Sequence, residues 1–301
     1  MCGIAGLFLK DTSLEPSLGR LLGGMMIELG DRGPDSSGFA VYGAPAAGHA
    51  KLTIRLPDGG GQHAARAIAD GASAATGQAI EARIRGTHAV LSYPDDARDG
   101  LRAFLAARHP EAHVVSSGER MEIFKDIGRP EVVADAYDLS TMHGSHAIGH
   151  TRMATESAVT IDGAHPFSTG DDQCLVHNGS LSNHNAVRRT LKREGLAFET
   201  ENDSEVAAGY LTWRMREGAS LSQALEQALS DLDGFYTFVV GTRTGFAVLR
   251  DPIACKPAVM AETDQWVAFG SEYRALTGLP GIENARVFEP EPATVYAWER
   301  T

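Results

Sequence analysis

The sequence predicts an α+β layered fold. Apolar stretches of strand length gather in two clusters, with intervening helical segments. The regular strand–helix alternation that builds a doubly wound sheet is absent, and no internal repeat is visible. At 301 residues there is material for one large domain or two small ones, with a core that needs no covalent staples.

The elements follow in order. CGIAGLFL is apolar enough for a buried strand, and Leu18, Leu21, Leu22, Met25, Met26 and Leu29 fall on one helical face, although Gly23 and Gly24 weaken that helix. Gly33-Pro34-Asp35 signals a turn inside DRGPDSSG, and FAVYG returns as a second strand. From about Ala44 to Ser145 the texture changes. KLTIRL, ARIRGTHAVLSYP, AHVVSS and MEIFKDI each look like one strand; residues 59–77 are ambiguous; Ala97 to Arg108 and PEVVADAYDL look helical. This stretch carries no catalytic motif and is expected to be an α/β block of βαβ-like order at about 44–145, inserted within a single 1–301 domain, with its edges left for a partner. Beyond it, AIGHTRMAT and DQCLVHNG are short strands ending in polar loops, followed by helices closed at Gly195 and Gly218. Ser220 and Gln223 have the spacing of a capping box, and strands at FYTFVVG, GFAVLRD and WVAFG and a short helix near EYRALTG complete the chain.

Composition narrows the function classes. Net charge is -12, from 27 Lys and Arg against 39 Asp and Glu, so the basic face that a nucleic-acid partner needs is missing. No apolar run is long enough for a membrane span, and no basic segment with an apolar core opens the chain, which places residue 2 near the mature end. Three scattered cysteines, Cys2, Cys174 and Cys255, make neither a disulfide framework nor a metal cluster and suggest a reducing, cytoplasmic setting. His143, His146, His150, His165, His177 and His184 crowd together, yet no H-x-x-x-H pair sits on one helix, so no metal site is expected and the histidines are assigned to ordering loops.

Cys2 has two readings. Alone, it is a small buried residue at the start of a strand. If Met1 is removed, its thiol shares a residue with a free α-amine, whose ordinary pKa near ~8 suits it to serve as the base. Attack on an amide would then need oxyanion donors, and Asn178 with Gly179 offers a side-chain NH2 and a backbone N–H, although Asn-Gly is also a common hairpin turn. Arg152 and Asp203 supply the guanidinium and carboxylate that an α-amino acid calls for; singly, each fits a surface ion pair or a helix N-cap.

Together, MCGIAG, DRGPDSSG, GHTRMAT with AHPF beyond it, LVHNGSLSNH, NDSE, DGFYTFVV, LRDPIACKP and SEYRAL resemble, in this order, the class II glutamine amidotransferases of the N-terminal-nucleophile hydrolase fold. The resemblance covers about residues 2–43 and 146–280. It implies a four-layer αββα sandwich, with Cys2 as nucleophile, its α-amine as base and an oxyanion hole at Asn178 and Gly179. Arg152 and Asp203 would hold the α-carboxylate and α-amine of glutamine, with Thr155 and His165 lining the pocket and Arg32 and His177 in support. The chain departs from the pattern at Met153 and Glu156, in the length of the block from Ala44, and at Ala254-Cys255, where a glycine is common. HTRMATESAVTIDGAHPF and DPIACKPAVM are most similar to separate amidotransferase-like subunits of glutamate-synthase-like complexes, including the N-methylglutamate synthase A subunit. That subgroup implies glutamine or glutamate as substrate and no cofactor in this chain. It also implies an FMN-containing partner subunit, iron–sulfur clusters on partners, a β-helical subunit, and a tunnel for ammonia. The competing reading is a non-catalytic glutamine-sensing or assembly subunit, which retention of Met1 would favour.

Overall fold

The computed structural model describes residues 2–45, 47–56, 60–154 and 158–300. In chain order the elements are β1 Gly3–Leu9, α1 Leu18–Glu28, β2 Ser36–Tyr42, β3 His49–Arg55, α2 Gln62–Thr76, β4 Glu81–Arg85, β5 His88–Pro94 and α3 Arg98–Arg108. There follow β6 His113–Gly118, β7 Met121–Ile127, α4 Pro130–Ala136, β8 His146–Arg152, β9 Phe167–Gly170, β10 Gln173–Leu181, α5 His184–Arg193, α6 Asp203–Arg216 and α7 Leu221–Asp231. The chain closes with β11 Gly234–Gly241, β12 Gly245–Arg250, β13 Val259–Glu262, β14 Trp266–Gly270, β15 Arg286–Phe288 and β16 Val295–Glu299.

Strand periodicity sorts these elements into layers. Along β1, Ala5, Leu7 and Leu9 face Leu18, Leu22 and Met25 of α1, while Ile4 and Phe8 face the other way, against Val239, Phe246 and Val248. The seven-stranded sheet, β15-β13-β14-β1-β8-β2-β7, therefore lies between α1 and the five-stranded sheet, β16-β12-β11-β10-β9. The outer face of that second sheet, through Leu175, Phe238, Val240 and Leu249, packs on Val206, Leu211, Leu221 and Leu225 of α6 and α7. This is the four-layer αββα arrangement. Gly23 and Gly24 do not interrupt α1, because the packing of the helix's apolar face outweighs their poor propensity.

A third sheet, β4-β5-β3-β6, has its own core in which Leu52, Ile54 and Leu91 meet Ile68 of α2 and Leu101 and Leu105 of α3. The chain order, β3-α2-β4-β5-α3-β6, is βαβ-like as expected, but the pairings are antiparallel: β4 and β5 form a hairpin, and β3 lies between β5 and β6. ARIRGTHAVLSYP is two strands rather than one, turning at Gly86 with φ +54°. The ambiguous alanine-rich stretch is α2, closed by Gly77 at φ +70°. MEIFKDI, as β7, pairs with β2 and extends the large sheet.

The two main sheets come close at Gly6, where a Cβ would stand 3.0 Å from a ring carbon of Phe246 and 3.3 Å from Val239. A side chain there forces the sheets apart. Gly6→Val is expected to cost about 1–3 kcal/mol in urea unfolding, and an unchanged midpoint would contradict this packing.

Candidate active site

Cys2 stands at the open end of β1, half-buried, with β14 and β8 on either side of its strand. Its backbone carbonyl accepts from Arg32 Nε at 3.1 Å and from Asn178 Nδ2 at 3.1 Å. Arg32 is in turn ion-paired with Glu272. Asn178 Nδ2 also donates to Ser271 Oγ at 3.2 Å, and the same hydroxyl accepts from Ile4 N at 2.9 Å. Ser271 thus ties the nucleophile's strand to the amide opposite it. It is the first residue of SEYRAL, a motif visible in the sequence but given no role there.

Asn178 points at Cys2 because of strand alternation. Cys174 and Val176 face the large sheet, as does Asn178, whereas Leu175 and His177 face the helices. The Asn178-Gly179 pair lies inside β10, opposite Thr237 and Tyr236, and so is neither a tight turn nor a hairpin turn. Gly179 has φ +144°, and a Cβ there would stand 2.0 Å from the carbonyl oxygen of Phe235. Only glycine fits. In this geometry both N–H bonds of the Asn178 amide are engaged, so an oxyanion must displace one of its two partners.

The DRGPDSSG turn acts as a clamp. Gly33 lies against the 151–152 peptide, where a Cβ would be 2.3 Å from the Thr151 carbonyl carbon. Asp35 N donates to Arg152 O at 3.1 Å, and Asp35 Oδ2 accepts from Ala154 N at 2.8 Å. Arg152 is the buried last residue of β8, and the exposed Met153 follows, its carbonyl 3.9 Å from Cys2 Sγ. Thr155 and Glu156, like Met1, lie outside the described residues.

Asp203 opens α6, where the helix N-terminus favours a carboxylate. The N-cap, however, is Asn202, whose side chain accepts from Ser204 N at 2.9 Å. Asp203 is thereby left to accept from Leu181 N at 2.9 Å, beside the strand that carries Gly179. Ser204 is a hub that the sequence did not flag: its Oγ lies 2.8 Å from His165 Nε2 and 2.9 Å from His177 Nδ1. The His165 ring stacks on His150 with centroids 4.1 Å apart, and His150 Nε2 donates to His177 O at 3.2 Å. Three of the crowded histidines therefore form one buried scaffold behind Asn178. His146 lies apart, stacked on Tyr42 and bonded to Thr242 O, and His184 bonds Leu181 O.

Burial holds these imidazoles neutral. It pushes His150 and His146 down to about 3 and His165 well below its ordinary value. His177 is also lowered by burial, opposed by Asp203. Cys174, bonded to Tyr42 in the core, is raised by burial to about 12 and so is inert as a nucleophile. Among the described residues, no group of three His, Cys, Asp or Glu side chains could hold a metal ion. No described helix is long and apolar enough to cross a membrane.

A family model described as a glutamine amidotransferase domain matches residues 150–278. The chain is 58% identical over 301 residues to the glutamine amidotransferase-like protein GlxB of Rhizobium meliloti, covering 99% of this chain and 98% of that one. It is 36% identical over 144 residues to the isomerizing glutamine–fructose-6-phosphate aminotransferase of Vibrio vulnificus, which spans 47% of this chain but 23% of the relative. Among solved structures, the allosteric regulatory enzyme of purine biosynthesis aligns over 99% of this chain and 47% of its own, with a TM-score of 0.64 and 19% identity. The Bacillus subtilis glutamine phosphoribosylpyrophosphate amidotransferase aligns over 99% of this chain and 49% of its own, with a TM-score of 0.60 and 19% identity. The chain thus spans about half of each solved chain, and at that identity the likeness concerns the fold alone.

The neutral histidines set an acid limit. Unfolded imidazoles titrate near ~6.5, whereas His146 and His150 stay unprotonated in the fold down to about 3. Their contribution to stability is full above pH ~6.5 and is lost as pH falls through that window, at roughly 1 kcal/mol per pH unit for each histidine. Urea unfolding at pH 7, 6 and 5 is expected to show this slope, and His146→Asn to reduce it. A flat profile would mean that the histidines titrate in the fold as they do in the unfolded chain.

Proposed function

The chain belongs to the glutamine amidotransferase family, and on that premise we propose that it is the glutaminase subunit of a multisubunit glutamate-synthase-like complex. The observation that carries the catalytic reading is the double hold on the Cys2 carbonyl by Arg32 and Asn178, which fixes the residue just before a central strand beside an oxyanion donor. Once Met1 is removed, the Cys2 α-amine takes the thiol proton and sulfur bonds to the δ-carbon of the glutamine side chain. Negative charge develops on the amide oxygen and is received by Asn178 Nδ2 and the Gly179 N–H. Collapse breaks the C–N bond, the α-ammonium returns its proton to the leaving nitrogen, and ammonia departs. Water then cleaves the thioester to glutamate. Arg152 and Asp203 hold the α-carboxylate and α-ammonium of the substrate, Thr155 and His165 line the pocket, and His177 keeps the strand that carries the oxyanion donors in place.

The ammonia acceptor is assigned to a partner, an FMN-containing subunit in a complex that also has a β-helical subunit. Supporting this, the exposed apolar side chains of Met153, Phe235 and Tyr273 belong to the segments that border Cys2, Gly179 and Arg32 respectively. An apolar rim around a catalytic mouth suits a covering surface.

Cys2→Ser is expected to lower glutamine hydrolysis by about 10³-fold or more. A glutamine-analogue electrophile is expected to label Cys2 but not Cys174. Full turnover by the variant, or Met1 still attached in protein from the native host, would overturn the catalytic reading in favour of glutamine sensing. Purification of the native complex, followed by assays with glutamine alone and with methylamine plus glutamate, separates glutamate synthesis from N-methylglutamate synthesis.

A further inference from the structure

A cavity of about 380 Å³ lies where β6 of the third sheet meets β9 and α6, and none of Cys2, Arg32, Arg152, Asn178, Gly179 or Asp203 lines it. Two buried ionic side chains do. Lys125 Nζ donates to Asp162 O at 3.2 Å and Ala164 O at 2.9 Å, and sits 4.8 Å from the centre of the Phe167 ring. Its near partners are dipoles and a ring face; among the described residues no carboxylate stands within ion-pair distance. Burial holds its amine down to about 8, against the pull of the Asp162, Glu205 and Glu199 carboxylates beyond ion-pair distance.

The acids of the lining act on Lys125 from a distance, and two of them are engaged elsewhere. Glu205 accepts from Glu199 N at 2.7 Å, Thr200 N at 2.8 Å and Thr200 Oγ1 at 2.7 Å. Asp162 is paired with Arg55 at 2.8 Å. Glu199 has no such partner among the described residues, and partial burial raises its carboxyl. At the mouth stand Arg102 from α3, His113, and Arg216 from α6, all exposed, with Arg216 donating to the Glu194 carbonyl, which leaves its charge uncompensated.

We infer that this cavity binds a small anion with two or more charged oxygens, a dicarboxylate or a phosphate, held by Lys125 at its floor and by Arg102 and Arg216 at its mouth. The third sheet and its helices contribute Arg102 and His113, which gives the block after Ala44 a binding role. The walls of the cavity adjoin the candidate active site: Lys125 grips the carbonyl of Ala164, next to His165, and Glu205 lies two residues beyond Asp203. An anion here draws on the groups that set those two segments.

Calorimetric titration of the whole chain with succinate, and separately with inorganic phosphate, tests the site without reference to turnover. At least one probe is expected to bind with Kd of about 1 mM or tighter, and the stronger one identifies the anion class. Lys125→Met is expected to weaken it about tenfold or more, as is R102A/R216A, whose changes are confined to exposed side chains and should leave folding intact. No heat from either probe, or equal binding by R102A/R216A, would overturn the inference.

Discussion

The contact on which the site depends is the one between the two sheets at the Cys2 carbonyl. That oxygen receives a guanidinium from the segment after α1 and a side-chain amide from β10, so three parts of the chain remote in sequence meet on one backbone atom. Both donors aim at the backbone of residue 2 and not at its thiol, which reaches towards the Met153 carbonyl at 3.9 Å. The sheet interface makes this possible: Ile4, Phe8, Val239 and Phe246 bury a dry layer whose edge sets how far β1 stands from β10. Apolar packing supplies the free energy, and the polar bonds at its margin supply the aim.

Behind Asn178 a second arrangement works by a different principle. His150, His165, His177 and Ser204 are buried polar groups joined to one another, where a similar volume of aliphatic carbon would have cost less to bury. What they provide is direction. A single serine hydroxyl at the first turn of α6 fixes two rings from two other segments, and Asp203 beside it is fixed with them. The pocket wall and the oxyanion strand are thereby placed by one helix start.

Much of this was legible in the chain. Amphipathic periodicity announced α1, and the glycines at 195 and 218 and the Ser220/Gln223 box marked where helices stop and start. The strands that carry Cys2, Arg152 and Asn178 were visible as apolar runs. What eluded the reading has physical causes. Asn-Gly suits a hairpin turn so well that its place inside β10 becomes apparent only once Tyr236 and Thr237 lie opposite it. Asn202 and Asp203 are equally good caps by composition, and only the bond from Ser204 N decides between them. Ser204 and Ser271 carry no local signal, since their importance lies wholly in partners far along the chain. The hairpin turn at Gly86 was hidden because Gly86-Thr87, between Arg85 and His88, lacks the Asn-Gly or Asp-Gly signature of a two-residue turn.

The confinement of Asn178 and Gly179 within β10 has a chemical consequence of another kind. In a flexible chain, asparagine followed by glycine is the sequence most prone to deamidation, because the glycine nitrogen can close onto the side-chain carbonyl carbon. Here the strand pairing holds the Gly179 backbone in register with Tyr236, and Cys2 and Ser271 hold the Asn178 amide. The ring cannot close while the sheets stay packed. The hydrogen bonds that aim the donor also protect it from chemical ageing, so the working lifetime of the site is tied to how rarely β10 leaves its neighbours.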